Sequence, residues 1–133
     1  MILMDNRSKD WLRQAEKDLK HAKIFMKMVI MKWACFSCQQ SAEKALKGVY
    51  NKNNRETKGH SILGLIKGLE DIYKIPPEFY YYAKVLSRYY IKTRYSNGFL
   101  EGAPMDYFDK QMAEEAINAS GKILQWCRDI IFR

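Results

Sequence analysis

The sequence predicts an all-α protein, an antiparallel helical bundle of about five helices with an up-down four-helix core and one short extra helix. Apolar residues recur every three to four positions over long stretches, and no segment alternates as a strand would. Only three prolines and seven glycines interrupt 133 residues. A chain of this length buries about two-thirds of its unfolded surface, so residues 1–133 are predicted to form a single domain.

The first helix is predicted to begin at Asn6 or Ser8, either of which is a suitable N-cap, and to continue to about Ile30. Its apolar positions follow the alternating spacing of three and four that is typical of a left-handed bundle seam. The residues of this seam are Leu12, Ala15, Leu19, Ala22, Met26 and Val29.

The central helix is predicted from Trp33 to Tyr50, and the rest of the chain is expected to pack around it. Its inward residues are mostly small, including Ala, Cys, Ser41 and Gly48, which lets neighbouring backbones approach closely. On another face, Gln40, Lys44 and Lys47 lie at i, i+4 and i+7. That face is suited to holding an anion.

A polar loop at residues 51–59 leads to His60 and a short third helix that Ser61 or Thr57 can cap. The apolar residues of this helix recur at Ile62, Leu65, Ile66 and Leu69. A histidine at a helix N-terminus lies where backbone N–H groups favour an anion. The alternative is a structural histidine hydrogen-bonded to a neighbouring carbonyl, and the sequence leaves both interpretations open.

The fourth helix is predicted from about Glu78 to Lys92, after the helix-ending Pro76-Pro77 pair. The predicted core stripe contains Phe79, Tyr82, Leu86 and Tyr89, with Val85 beside it. Three further tyrosines, Tyr80, Tyr81 and Tyr90, are interleaved with Arg88, Lys92 and Arg94. This combination suits base stacking with phosphate contacts, and it also suits a dimer interface, which is the favoured interpretation.

A long irregular stretch follows Arg94 and Tyr95, and such loops are usually functional or disordered. Arg94 is predicted either to contact a phosphate or to pin the loop through a carboxylate. The last helix is predicted to start at Asp106 or Asp109 and to run to near Phe132. Its stripe is Met112, Ala116, Ser120, Ile123, Cys127 and Ile130.

The formal net charge of +8 favours partners such as nucleotides, nucleic acid or an acidic protein surface. No apolar run reaches the ~18 residues of a membrane span, and the N-terminus lacks the features of a signal peptide. We therefore expect a cytoplasmic protein without membrane contact.

The three cysteines are expected to be reduced core residues. Cys35 and Cys38 form a C-x-x-C, but no second ligand pair suggests zinc and no preceding strand suggests redox chemistry. The sequence also has no phosphate-binding loop and no dinucleotide fingerprint. No metal and no cofactor are predicted.

Several segments together resemble the HEPN domain family. They are QQSAEKALKGVY in the central helix, GHSI at the loop-to-helix junction, RYY and TRYSNG after the fourth helix, and the Ala/Glu-rich last helix. The resemblance extends from about Trp11 to Ile130. It implies the helical bundle, a homodimer, and a separately encoded minimal nucleotidyltransferase as partner in a toxin–antitoxin-like pair.

Many HEPN proteins are metal-independent ribonucleases with an arginine followed four to six residues later by a histidine near the start of the last helix. Here no histidine follows Arg94, and the one literal match, Arg55 to His60, lies in the loop before the third helix. The resemblance therefore implies a weakly catalytic or non-catalytic module for nucleotide or RNA binding. The predicted anion contacts are Lys44, Lys47, His60, Arg88, Arg94 and Tyr95.

Two alternatives stay open. One is an endoribonuclease in which His60 transfers protons and Arg55 or Arg94 holds the phosphate. The other is a non-catalytic interaction protein whose tyrosines and basic face bind an acidic partner.

Overall fold

The computed structural model describes residues 7–57, 59–94 and 108–133, and for residues 91–94 it describes only the helical backbone. Within these ranges the chain forms five α-helices and no strand. They are α1 (Ser8–Lys27), α2 (Met31–Lys52), α3 (Ile62–Lys67), α4 (Glu78–Arg94) and α5 (Lys110–Ile131). The predicted all-α bundle is confirmed.

Helix α2 is the centre of the bundle and packs against each of the other four helices. Small residues make this arrangement possible, as the sequence predicts. The Ser41 hydroxyl donates to the Ala15 carbonyl of α1 at 2.6 Å, and the Ser120 hydroxyl of α5 donates to the Cys38 carbonyl at 2.9 Å. These bonds join the helices at close range and satisfy both buried hydroxyl groups.

Helix α1 ends at Lys27, so the predicted end at Ile30 is wrong. The chain reverses direction over three residues, with the Ile30 N–H donating to the Phe25 carbonyl at 2.8 Å. Val29 therefore does not continue the seam; it is 76% exposed and has a φ of +61°. A left-handed conformation costs a non-glycine residue about 1–2 kcal/mol. The early reversal lets α2 pack along α1 from its first turn.

The predicted helix caps are confirmed at two helices and wrong at one. Ser61 Oγ accepts from the Gly64 N–H at 3.0 Å to cap α3, and Asp109 Oδ1 accepts from the Met112 N–H at 2.7 Å to cap α5. At α1 the cap position is Arg7, whose side chain makes no cap bond, and Ser8 is the first helical residue. Asn6 and Asp106 lie outside the described residues.

Helix α3 is shorter than its apolar pattern predicts. Beyond Lys67 the backbone continues in tight turns, in which the Leu69 N–H donates to the Ile66 carbonyl at 3.0 Å. Leu69 is nevertheless fully buried, so the apolar pattern correctly predicts burial but not helix length. The prolines at Pro76 and Pro77 follow, and α4 begins at Glu78 as predicted.

The division of the α4 tyrosines into buried and exposed residues differs from the prediction. Tyr89 is buried, but Tyr82 is only half-buried. Two of the three surplus tyrosines bind carboxylates of the same chain, Tyr80 to Glu70 and Tyr81 to Glu115, the latter at 3.2 Å. Tyr81 is 54% exposed, and Tyr90 is half-buried against His60.

All three cysteines are buried and form no disulfide, in agreement with their predicted place in the core. Burial raises the pKa of Cys35 to about 12, and it also raises the pKa of Cys38 and of Cys127. A thiol with such a pKa is a poor nucleophile at neutral pH. Across the described ranges, no helix combines the length and apolarity needed to cross a membrane.

Candidate functional site around His60

The candidate site is built on a buried carboxylate, Glu43, on the inner side of α2. Glu43 is only 4% exposed, and its two oxygens accept three side-chain hydrogen bonds. Gln39 Nε2 donates to Oε1 at 3.1 Å, Lys47 Nζ donates to Oε2 at 2.8 Å, and His60 Nδ1 lies 2.7 Å from Oε2. Gln39, Glu43 and Lys47 are spaced four residues apart, so α2 presents them in one row.

This environment keeps Glu43 ionised. Burial by itself would raise the pKa of the carboxyl group, but the hydrogen bonds from Lys47, His60 and Gln39 outweigh it and hold the pKa below its usual value near 4.5. An ionised carboxylate can only accept hydrogen bonds. His60 Nδ1 must therefore carry the proton that it shares with Glu43, which leaves Nε2 for a ligand.

Three contacts hold His60 in place, one to its backbone and two to its ring. Its backbone carbonyl accepts a 3.5 Å hydrogen bond from Gln39 Nε2, its Nδ1 contacts Glu43, and its face stacks on Tyr90 with 5.1 Å between ring centroids and 17° between planes. Gly59, with a φ of +82°, turns the loop immediately before it. The side chain remains 50% exposed, so an oriented imidazole is open to solvent.

Two adjacent cavities share His60 and Ser61 as walls. The walls of the His60 cavity, about 280 Å³, also include Ser87 and Tyr90 of α4. The loop cavity, about 410 Å³, extends from His60 along the loop to Glu56 and Thr57. Both are lined by His60, by hydroxyl groups and by a tyrosine ring, which is a suitable arrangement for a small polar ligand with a planar part.

Of the six predicted contacts, the structure brings Lys47 and His60 together through Glu43. Lys44 lies in the adjacent contact with α1, where its Nζ is 2.7 Å from Asp18 Oδ2. Arg88 is exposed on α4 near Tyr81, whose pKa is raised by the hydrogen bond to Glu115 despite the opposing charge of Arg88. The Arg94 side chain and all of Tyr95 are outside the described residues.

The second arginine that the sequence offered for phosphate binding, Arg55, has an internal partner. Its two terminal nitrogens contact the two oxygens of Asp71 at 3.0 and 2.7 Å, and one of them also donates to the Gly68 carbonyl at 3.0 Å. This bidentate pair ties the loop after α2 to the turn after α3. In this geometry Arg55 holds the loop that carries His60.

Sequence reasoning missed Gln39 and Glu43, and it did not connect Tyr90 with His60. One signal was available: Gln39 and Glu43 interrupt the apolar stripe of α2 that passes through Cys35, Leu46 and Tyr50. Polar residues within a buried stripe need partners. The contact with His60, which is 17 residues from Glu43 and 21 from Gln39 along the chain, has no local signature.

The lowered pKa of Glu43 predicts acid sensitivity. A glutamate whose folded-state pKa lies below its unfolded value contributes stability above the unfolded pKa and loses it as the pH falls through the folded pKa. The free energy of unfolding should therefore decrease below pH 4.5, and the decrease should be smaller in Glu43→Gln, which cannot titrate there. Urea unfolding of both proteins at pH 6 and pH 3.5, followed by circular dichroism, measures the difference. Equal decreases in the two proteins would contradict an ionised Glu43.

Chemically, the arrangement can bind an anion and transfer a proton. The Glu43 carboxylate fixes the tautomer and the orientation of the imidazole, as the carboxylate does in hydrolytic triads. Nε2 can then donate to a phosphate oxygen or accept a proton from a hydroxyl group. Among the described residues, no group of three or more His, Cys, Asp and Glu side chains could hold a metal ion.

Comparison with known proteins shows the family to which the whole chain is similar. Residues 8–130 match the model of the HEPN domain. A crystal structure from Thermus thermophilus is 38% identical with a TM-score of 0.90, covering 94% of this chain and 98% of the other. An archaeal HEPN homologue is 36% identical, with a TM-score of 0.80 and the same coverage.

A HEPN domain protein from Thermotoga maritima is 30% identical over 93% of this chain and 98% of its own, with a TM-score of 0.75. Among curated proteins, none matches this sequence. The family model and the solved structures agree over nearly the whole chain. The chain therefore belongs to the HEPN domain family.

Proposed function

We propose that this chain is a nucleotide- or RNA-binding module whose ligand contacts His60 and Lys47. The observation that supports this most directly is the His60 ring, held between Glu43 and Tyr90 with Nε2 available beside two cavities. The net charge of +8 favours a polyanionic ligand. Membership of the HEPN family is compatible with this chemistry.

The remaining predicted contacts belong to the same proposal. Lys44, Arg88, Arg94 and Tyr95 stay predicted contacts of the ligand, and Lys44 would have to exchange Asp18 for a phosphate. Because Lys47 and His60 share one carboxylate oxygen, they form the proposed centre of the site. The other four residues are proposed as its periphery.

Binding can be tested with a matched pair of histidine variants. His60→Ala should weaken binding of a nucleoside monophosphate at least tenfold, measured by isothermal titration calorimetry. His21→Ala removes an exposed histidine of α1 and should leave the affinity unchanged. Equal affinities of both variants and wild type would overturn the proposal.

The protein partners of this chain are a further part of the proposal. We propose a homodimer that acts in the cytoplasm with a separately encoded minimal nucleotidyltransferase in a toxin–antitoxin-like pair. Family membership supports this part of the proposal, and the exposed Tyr81 and Trp33 offer apolar surface for a protein contact. Co-elution of the two purified proteins in size-exclusion chromatography tests the pairing.

The Glu43–His60 pair favours a second candidate, a metal-independent endoribonuclease. Neutral Nε2 would accept the proton of the RNA 2′-hydroxyl as its oxygen attacks phosphorus, and an arginine, with Arg94 the remaining candidate, would stabilise the phosphorane charge. The 5′-oxygen then leaves with the proton that His60 took from the 2′-hydroxyl, so the step balances on this one imidazole.

RNA incubated in EDTA separates the two candidates. If the chain is a ribonuclease, wild type and His21→Ala should cleave RNA, whereas His60→Ala and Glu43→Gln should show a large loss of rate. Cleavage by His60→Ala at the wild-type rate would exclude His60 as the proton-transfer residue. Intact RNA with wild type, together with His60-dependent binding, would leave the binding module as the function.

A further inference from the structure

We propose a second subsite, which binds the base of the nucleotide adjacent to the one at His60 and makes the natural ligand a dinucleotide or longer single strand. This inference rests on the proposed function and extends it. The subsite is the Trp11 cavity, about 210 Å³, whose walls include Trp11, Lys47 and Asn51.

The Trp11 cavity is adjacent to the loop cavity. The two cavities share Glu56 and Thr57, and the loop cavity in turn shares His60 and Ser61 with the His60 cavity. The three cavities therefore form a row from α4, across the loop after α2, to α1. A single nucleotide occupies one cavity, whereas a short strand can follow the row.

The side chains at the two ends of this row are connected through the Glu43 carboxylate. Glu43 Oε2 accepts from Lys47 Nζ at 2.8 Å and contacts His60 Nδ1 at 2.7 Å. Lys47 lines the Trp11 cavity and His60 lines the other two. One buried carboxylate oxygen thus positions side chains that line both ends of the row, and a short strand along the row would pass a hydrogen-bond donor at each end.

The Trp11 cavity has the chemistry and size for a nucleobase. Its volume of about 210 Å³ exceeds the ~150 Å³ of an engineered cavity that binds benzene. Lys47 Nζ lies 5.8 Å from the centre of the Trp11 ring, so the cavity offers an aromatic side chain beside a cation. Bases stack on such side chains without strict sequence preference.

Asn51 supplies a side-chain oxygen that could accept a hydrogen bond from a ligand. Within the described residues, its Oδ1 is the one buried side-chain oxygen or nitrogen without a hydrogen-bond partner. A buried unsatisfied acceptor is costly and needs an explanation. A rotation of the amide towards the cavity would let Oδ1 accept from an amino or imino group of a base.

The test uses 2′-O-methyl nucleotides, which lack the attacking hydroxyl and cannot be cleaved through it. Affinities are measured at one salt concentration, because phosphate contacts make binding salt-dependent. The ligands are uridine monophosphate, the dinucleotide of two uridines, and two dinucleotides in which one or the other base is absent. The base-free dinucleotides keep the phosphate charge, so they isolate the contribution of each base.

For wild type, each base should tighten dinucleotide binding about tenfold, as expected for one stacked base. Trp11→Leu should remove this gain for one of the two bases only, and Asn51→Ala should reduce the same gain. Asn118→Ala, an exposed asparagine on α5, is the control and should behave as wild type. Melting temperatures of all variants show whether each one is folded, and Asn51→Ala carries the test if Trp11→Leu is not.

The possible results distinguish failure of the second subsite from failure of the proposed function. If the monophosphate binds through His60 but the second base adds no affinity, the second subsite is wrong and the proposed function remains. If the second base adds affinity equally in wild type, Trp11→Leu and Asn51→Ala, the base lies elsewhere and the inference is overturned. If neither ligand binds, the proposed function itself fails.

Discussion

Replacement of Glu43 by alanine is expected to lower the free energy of unfolding by about 3 kcal/mol, because removal of one member of a buried ion pair leaves its partner uncompensated. Three donors, on Gln39, Lys47 and His60, would lose their acceptor at once. We expect a loss at the lower end of the range for broken buried ion pairs. The reason is that the Lys47 side chain is 16% exposed and can turn its ammonium group to water. Urea unfolding at pH 7 measures the loss.

Two variants serve as controls for this prediction. Glu114→Ala removes an exposed glutamate of α5 and should change the free energy of unfolding by no more than about 0.5 kcal/mol. Glu43→Gln keeps an acceptor oxygen for His60 and should cost less than Glu43→Ala. A cost below about 1 kcal/mol for Glu43→Ala would mean that the carboxylate behaves as a surface group, and the site would lose its structural basis.

Gly68→Ala is expected to be strongly destabilising, by about 2 kcal/mol, although its backbone conformation suits alanine. A Cβ atom at this position would lie 2.0 Å from the Tyr50 hydroxyl oxygen and 3.2 Å from Tyr50 Cζ. That hydroxyl group donates to the Leu65 carbonyl at 2.7 Å, and the tyrosine is buried. Relief of the clash therefore requires loss of a buried hydrogen bond and movement of a core ring.

Gly121→Ala is the matched control, since a Cβ atom at Gly121 meets nothing within 4 Å. There the better helix propensity of alanine should raise the free energy of unfolding by about 0.5–1 kcal/mol. Combining Gly68→Ala with Tyr50→Phe removes the oxygen that clashes, so the two substitutions should be strongly non-additive. Additive effects of these two substitutions would contradict the contact.

Periodicity determined most of the fold from sequence. Apart from Val29, the apolar stripes predicted which faces of the helices turn inward, because helix packing requires one apolar face and the 3.6-residue repeat reveals it. The caps at Ser61 and Asp109 were also predictable, since a cap bond spans three residues. These properties are local, and a local pattern encodes them.

Helix ends were less predictable than helix cores. The apolar pattern continues through Val29 and past Lys67, but the helices end earlier. At Val29 the chain reverses to place α2 against α1, and after Lys67 it turns before the prolines of the next segment. In both places contacts with other segments of the chain set the backbone conformation. The local sequence does not show the free-energy cost of that conformation.

The sequence by itself determined a helical bundle with a basic surface, a histidine at the entry to α3, and lysines on α2. Only the tertiary structure decided which charges meet: Lys44 contacts Asp18 of α1, whereas Lys47 and His60 share Glu43, and Arg55 binds Asp71. The reason is physical. A helical repeat is set by neighbours along the chain, but a charge pairs with whatever the fold brings within about 4 Å, where Coulomb attraction is strong.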